Sequence, residues 1–150
     1  MLHSSHLHLR PEQQSAIDQT YKYWQESQDA NQRKFLWNAK PRFGKTITAY
    51  HFAAKIQAKR ILIITNRPAI SDSWQQDFFQ YFAKTSDYIF ATPKGDQRQS
   101  KTHRPTENHV YSRNELLNDF QLLQRPLIFF ISLPDLKGKD LLSQSFKKKN

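Results

Sequence analysis

The chain has 150 residues and 23 Lys+Arg against 13 Asp+Glu, a formal charge of +10 with no cysteine at all. That length suits one domain with a real core, and the missing cysteines exclude disulfides and cysteine-ligated zinc. The longest apolar run, "LIFFISL" at 127–133, is far too short to cross a bilayer. The cysteine-free composition fits a cytoplasmic protein with no membrane partner, and "MLHSSHLHLRPEQQ" has neither the basic start nor the apolar core of a signal peptide. A positive surplus of this size suggests an anionic partner, with nucleic acid first. A basic surface that only aids solubility explains the charge equally well.

Residues 1–8 read as an unstructured start. Their histidines (His3, His6, His8) lack the acidic or cysteine neighbours of a metal site. In "RPEQQSAIDQTYKYWQ", Gln13, Ile17, Tyr21 and Trp24 fall at helical spacing, with Pro11 in the first turn where proline is tolerated. "FLWNA" (35–39) is a short apolar run that predicts a strand, and "TITAYHFAAKIQA" after Lys45 predicts a helix. "RILIIT" (60–65) is apolar on both alternations, as expected of a strand covered on both faces of a parallel sheet.

The order then repeats. "SDSWQQDFFQYFAK" carries Trp74, Phe78, Tyr81 and Phe82 on one helical face, and "DYIFAT" (87–92) follows as a strand. Residues 93–109 form a polar, proline-containing loop. "SRNELLNDFQLLQ" opens with Ser112 and Glu115 spaced as a capping box, with an apolar face at Leu116, Leu117, Phe120 and Leu123. "PLIFFIS" (126–132) is a further buried strand, and residues 139–150 make a basic tail. Alternating strands and helices predict an α/β layered fold with a mainly parallel sheet.

Between the apolar run and the helix lies "AKPRFGKT" (39–46), which fits the Walker A pattern with alanine in place of the first glycine. Gly44 lets the backbone approach phosphates, and successive N–H groups with a helix N-terminus supply positive potential. Lys45 reaches the β- and γ-phosphates, and the Thr46 hydroxyl can hold Mg²⁺. The candidate ATP and Mg²⁺ residues are therefore Ala39, Lys40, Pro41, Arg42, Phe43, Gly44, Lys45 and Thr46. The chemistry falls to Lys45 and Thr46, with Thr46 as the metal ligand through ATP.

"AKPRFGKT" also resembles the first motif of superfamily 2 helicases and translocases, the DEAD/DEAH-box-like proteins of the type III restriction and UvrB N-terminal kind. "LRPEQQSAI" (9–17) is similar to that group's opening motif, with Glu12 where an aromatic is common. The resemblance gives Gln13 the adenine contact, or Gln14 if the register slips by one. "RILIITNRPAISDSW" (60–74) resembles motif Ia and "FFISLPDLKG" (129–138) resembles motif Ib, which implies that Asn66, Arg67, Pro68 and Ser132 face nucleic acid.

The resemblance implies a RecA-like P-loop fold over residues 9–138 and ATP hydrolysis coupled to DNA, with DNA favoured over RNA. It also implies a restriction setting. No DExx box is found: Asp135 follows the apolar run, but Leu136 stands where the glutamate belongs. The pattern therefore reads as a truncated first lobe, with little hydrolysis by this chain alone and a separately encoded remainder as a possible partner.

Two other readings stay open. One is a complete small P-loop NTPase or kinase, with Asp72, Asp77 or Asp87 as the metal acid. The other is a basic nucleic-acid-binding module or inert remnant, with Lys40, Arg42, Arg67, Arg98, Lys101 and Arg104 on phosphates. In that reading Trp37 or Trp74 would stack on bases, although both tryptophans fall in core-like patterns.

Overall fold

The fold is described by a computed structural model covering residues 8–67, 70–96 and 108–137. Four strands, β1 (Arg60–Thr65), β2 (Ile89–Thr92), β3 (Val110–Ser112) and β4 (Leu127–Ser132), form one sheet in the order β1-β4-β2-β3. Every strand pairing within it is parallel. Helices α1 (Pro11–Glu26), α2 (Lys45–Lys55), α3 (Ser71–Asp77), α4 (Arg113–Asn118) and α5 (Leu133–Lys137) complete the layers. This is the α/β architecture with a parallel sheet that the alternating pattern predicts, and it is consistent with a RecA-like layered fold.

β4 is the central element. It pairs with β1 from Arg60↔Leu127 to Thr65↔Ser132 and with β2 from Ile89↔Leu127 to Ala91↔Phe129. On one face Ile128 and Phe130 pack with Phe90, Val110, Tyr50, Phe78 and Phe82, with Ile61 and Ile63 at the margin. On the other face Leu127, Ile89 and Ala91 pack under Leu116 of α4, flanked by Leu122 and Leu123. The crossover from β1 to β2 therefore covers one face and the crossover from β3 to β4 the other. These connections run in opposite directions along the sheet, so a constant right-handed crossover puts their helices on opposite faces.

Three sequence expectations need correction. β1 is not covered on both faces: Leu62 and Ile64 are 61% and 51% exposed, because α4 lies over β2 and β4 and leaves the edge strand bare. "FLWNA" forms no strand. Its side chains find partners in helices instead: the Phe35 ring lies tilted against Tyr23, and the Trp37 indole donates to Thr20 Oγ1 at 2.7 Å and meets Phe52 edge-on. The helix begun at Ser112 has its capping box, with Glu115 N–H donating to Ser112 Oγ and Ser112 N–H to Glu115 Oε2. It stops at Asn118, and Leu117 and Phe120 are exposed. The Asp119 carboxylate accepts from Gln121 N–H there, a local bond that competes with helical continuation.

The helix after β1 extends as expected, but its second half, Phe78–Phe82, is wound as a π-turn that aims Phe78 and Phe82 into the core. Among the described residues no helix is long and apolar enough to cross a membrane.

The packing difference between centre and edge sets the mutational response. Ile128→Ala, at a fully buried site, should cost ~2–5 kcal/mol, whereas Leu62→Ser on the bare face should stay within about 0.5 kcal/mol of wild type. Urea midpoints of the two variants measure this, and equal losses would contradict the assignment of β4 as the core strand.

Candidate nucleotide site

The loop 39–44 hangs between α1 and the first turn of α2, outside the sheet. Arg42 and Gly44 both have positive φ, 63° and 83°, on either side of Phe43. Such alternation is how short segments turn successive N–H groups to one side as an anion-binding concavity. Gly44 is fixed by two constraints. Its left-handed backbone is strained for any residue with a Cβ, and a Cβ there would collide with Gln13 Nε2.

The loop is tied to the start of α1 by side chains. Gln13 Nε2 donates to Phe43 O at 2.9 Å, while its Oε1 accepts from Arg10 N–H at 2.8 Å. The Arg10 guanidinium donates to Arg42 O at 2.9 Å and also to Phe43 O. Lys45 Nζ folds back on Lys40 O at 3.0 Å. Below the loop, the Asp77 carboxyl at the end of α3 is pushed up by burial, and the neighbouring Thr46 side chain opposes that push. Beyond Thr46, burial pushes the Tyr50 phenol up and the His51 imidazole down, so both stay uncharged at neutral pH.

Alongside runs a groove of about 690 Å³ between α1 and the extended segment, lined by Arg10, Ala16, Phe35, Trp37 and Pro41 among others. Its walls are the two elements that hold the loop.

The sequence candidates are thus brought together only in part. Lys45 is exposed and Thr46 half-buried at the N-terminus of α2, and Ala39, Lys40, Pro41, Arg42, Phe43 and Gly44 form the loop before them. Gln13 is buried, with both ends of its amide engaged within the chain; Gln14 is exposed and bonds Asp18. Asn66 and Arg67 are exposed just past the C-terminal end of β1. Ser132 is 1% exposed; its Oγ accepts from Asp135 N–H at 3.3 Å, which makes it the cap of α5, and its hydroxyl donates to Asp135 Oδ2 at 2.5 Å. Pro68, with Arg98, Lys101 and Arg104, lies outside the described residues. Trp37 and Trp74 are both partly buried and meet Phe52 and Tyr50 edge-on, in keeping with their core-like patterns.

One residue at this site was missed from sequence: Arg10 was legible only as part of "LRPEQQ", while Asp77 was one of three candidate metal acids in the small-NTPase reading. No periodicity reveals that α1 and α3 converge on the same loop.

The donor set fits a nucleoside triphosphate with its magnesium: a cationic side chain, a left-handed glycine turn, a helix N-terminus and a hydroxyl beside a carboxylate.

Residues 6–134 match the family described as type III restriction enzyme, res subunit. The chain is also similar to a putative type II restriction enzyme and methyltransferase C-terminus of Mycoplasma pneumoniae, 31% identical over 130 residues that make up 87% of this chain and 15% of that protein. The chain therefore spans less than a fifth of that relative's length. No solved structure matches it.

Gly44→Ala tests the local geometry. A left-handed residue with a Cβ costs roughly 1–2 kcal/mol, and the displaced Gln13 amide adds to it. The urea midpoint should drop accordingly; an unchanged midpoint would mean that the loop does not hold this conformation.

Proposed function

The chain belongs to the type III restriction enzyme res-subunit family, and from that premise we propose that it forms the ATP-holding part of a motor that acts on DNA. The supporting observation is the Arg42–Phe43–Gly44 turn at the head of α2, with Lys45 and Thr46 directly behind it. Lys45 exchanges its bond to the Lys40 carbonyl for the β- and γ-phosphates, and the backbone N–H groups cradle the same oxygens. Bound magnesium supplies charge neutralisation at the phosphates, and Thr46 is the residue of this chain that holds it. Gln13 reads adenine only by giving up one of its two present bonds.

DNA is the proposed track. Asn66 and Arg67 sit exposed at the exit of β1, and the charge of +10 supplies long-range attraction. Ser132 acts here by shaping the β4–α5 turn rather than by touching a phosphate. Hydrolysis and movement belong to the larger protein, of which residues 9–138 are one domain.

The remainder of that protein is the proposed partner. It fits the uncovered strip at Leu62 and Ile64, which continues the apolar face of β4 past the free edge of β1. A right-handed connection leaving β4 in the direction of β1 passes over that face.

Two measurements test this reading. Lys45→Ala removes a charge-assisted phosphate contact of ~1.5–3 kcal/mol, so ATP affinity should fall roughly tenfold to hundredfold. Titration of labelled ATP against both proteins checks it, and equal affinities would reject the site. Binding to a duplex oligonucleotide should weaken steeply with salt, and Arg67→Ala should lower the log–log salt slope by about 1. A flat salt response would remove DNA from the proposal.

A further inference from the structure

We infer that Arg10 is a positioning residue for the phosphate loop, acting through the carbonyls of Arg42 and Phe43 rather than on the phosphates themselves. The inference rests on the nucleotide reading and adds a residue that reading does not use. Arg10 ends the segment before α1, and its guanidinium crosses to the loop 32 and 33 residues away in sequence, bonding both carbonyls. Its remaining polar contact is the Glu12 carboxylate at 3.3 Å.

The direction of those bonds matters. The described peptides are all trans, so the C=O of one residue and the N–H of the next point opposite ways. Holding Phe43 O against Arg10 and Gln13 therefore turns the Gly44 N–H away from α1, toward the side from which Lys45 and the N-terminus of α2 offer positive charge. The Phe43 N–H is already spent on Lys40 O. Gly44 N–H is thus the loop donor whose direction this clamp decides. If the Phe43–Gly44 peptide flipped, it would present a carbonyl oxygen to an anion and repel it.

Both bonds leave one nitrogen, Nη2, whose two N–H bonds form a fixed fork in the guanidinium plane, whereas an ammonium carries the same charge as a point donor with rotating hydrogens on a flexible stem. Arg10→Lys therefore separates positioning from charge.

The experiment uses the full chain with three variants: Arg10→Ala, Arg10→Lys and Lys45→Ala. The first readout is tryptic cleavage of the Arg42–Phe43 bond under native conditions, followed by mass spectrometry, which tracks the population of opened loop when reclosing is fast. The second is affinity for inorganic tripolyphosphate with Mg²⁺, a probe with no base. Arg10→Ala should speed cleavage by roughly tenfold or more and weaken tripolyphosphate binding by a similar factor, the scale of lost charge-assisted bonds. Arg10→Lys should recover less than half of either loss on a logarithmic scale. Lys45→Ala should lose tripolyphosphate binding as well.

Unchanged cleavage in Arg10→Ala overturns the inference, since the loop would not depend on Arg10. Faster cleavage with wild-type affinity overturns it too, because the clamp would then be irrelevant to the anion. Full recovery of binding by Arg10→Lys assigns the effect to charge and also rejects it. Should Arg10→Ala fail to fold, Arg10→Lys alone decides between fork and charge. Failure of the nucleotide reading shows separately, as equal tripolyphosphate affinity in wild type and Lys45→Ala, whatever the Arg10 variants do.

Discussion

The sheet depends on β4 being buried on both faces at once. Ile128 is fully inaccessible on one side, and Leu127 is packed under α4 on the other. Parallel strands cannot be joined by tight turns, so each neighbour of β4 must arrive through a crossover. The crossovers from β1 to β2 and from β3 to β4 cover opposite faces, and β4, last in sequence among the described strands, inserts between β1 and β2. β1 and β2 therefore share no ladder of their own and are joined only through residues 127–132 between them.

The same arrangement explains why the candidate site is not anchored in the sheet. The segment before the loop has no strand partner, so the loop is fixed by side-chain bonds from Arg10 and Gln13 and by the continuity of the chain into α2. Single hydrogen bonds contribute a net ~0.5–1.5 kcal/mol, or about 1.5–3 kcal/mol with a charged partner. A site held by two or three of these opens more readily than the core beneath it. α2 itself is well seated, with Tyr50 at 1% exposure bonded to Trp74 O and stacked on Phe82. The loop 39–44 is thus a compliant strap on a firm helix.

Much of this was legible in the sequence. Hydrophobic runs located β1, β2 and β4, the Ser112–Glu115 spacing located a cap, and "AKPRFGKT" located a loop ahead of a helix. These signals are local, since each is decided by side chains within a few residues of one another. What failed was whatever depended on partners distant in sequence. "RILIIT" is apolar on both faces, but its own residues cannot say whether anything covers Leu62 and Ile64. "FLWNA" has strand composition, and its fate was decided by Tyr23, Thr20 and Phe52 on two helices.

Asp77 carries this last point to the chemistry. From sequence it sat in a helical context with no reason to prefer it over Asp72 or Asp87. In the fold, the π-turn after α3 and the packing of Tyr50 on Phe78 and Phe82 bring the end of α3 against the start of α2, and Asp77 meets the Thr46 hydroxyl. Burial disfavours its ionised form while the Thr46 bond favours it. A carboxylate held under that tension gains from any cation brought near it, because an opposite charge offsets the desolvation that burial imposes. The core packing that stabilises the sheet therefore also brings a partly desolvated acid beside the head of α2, where Thr46 stands.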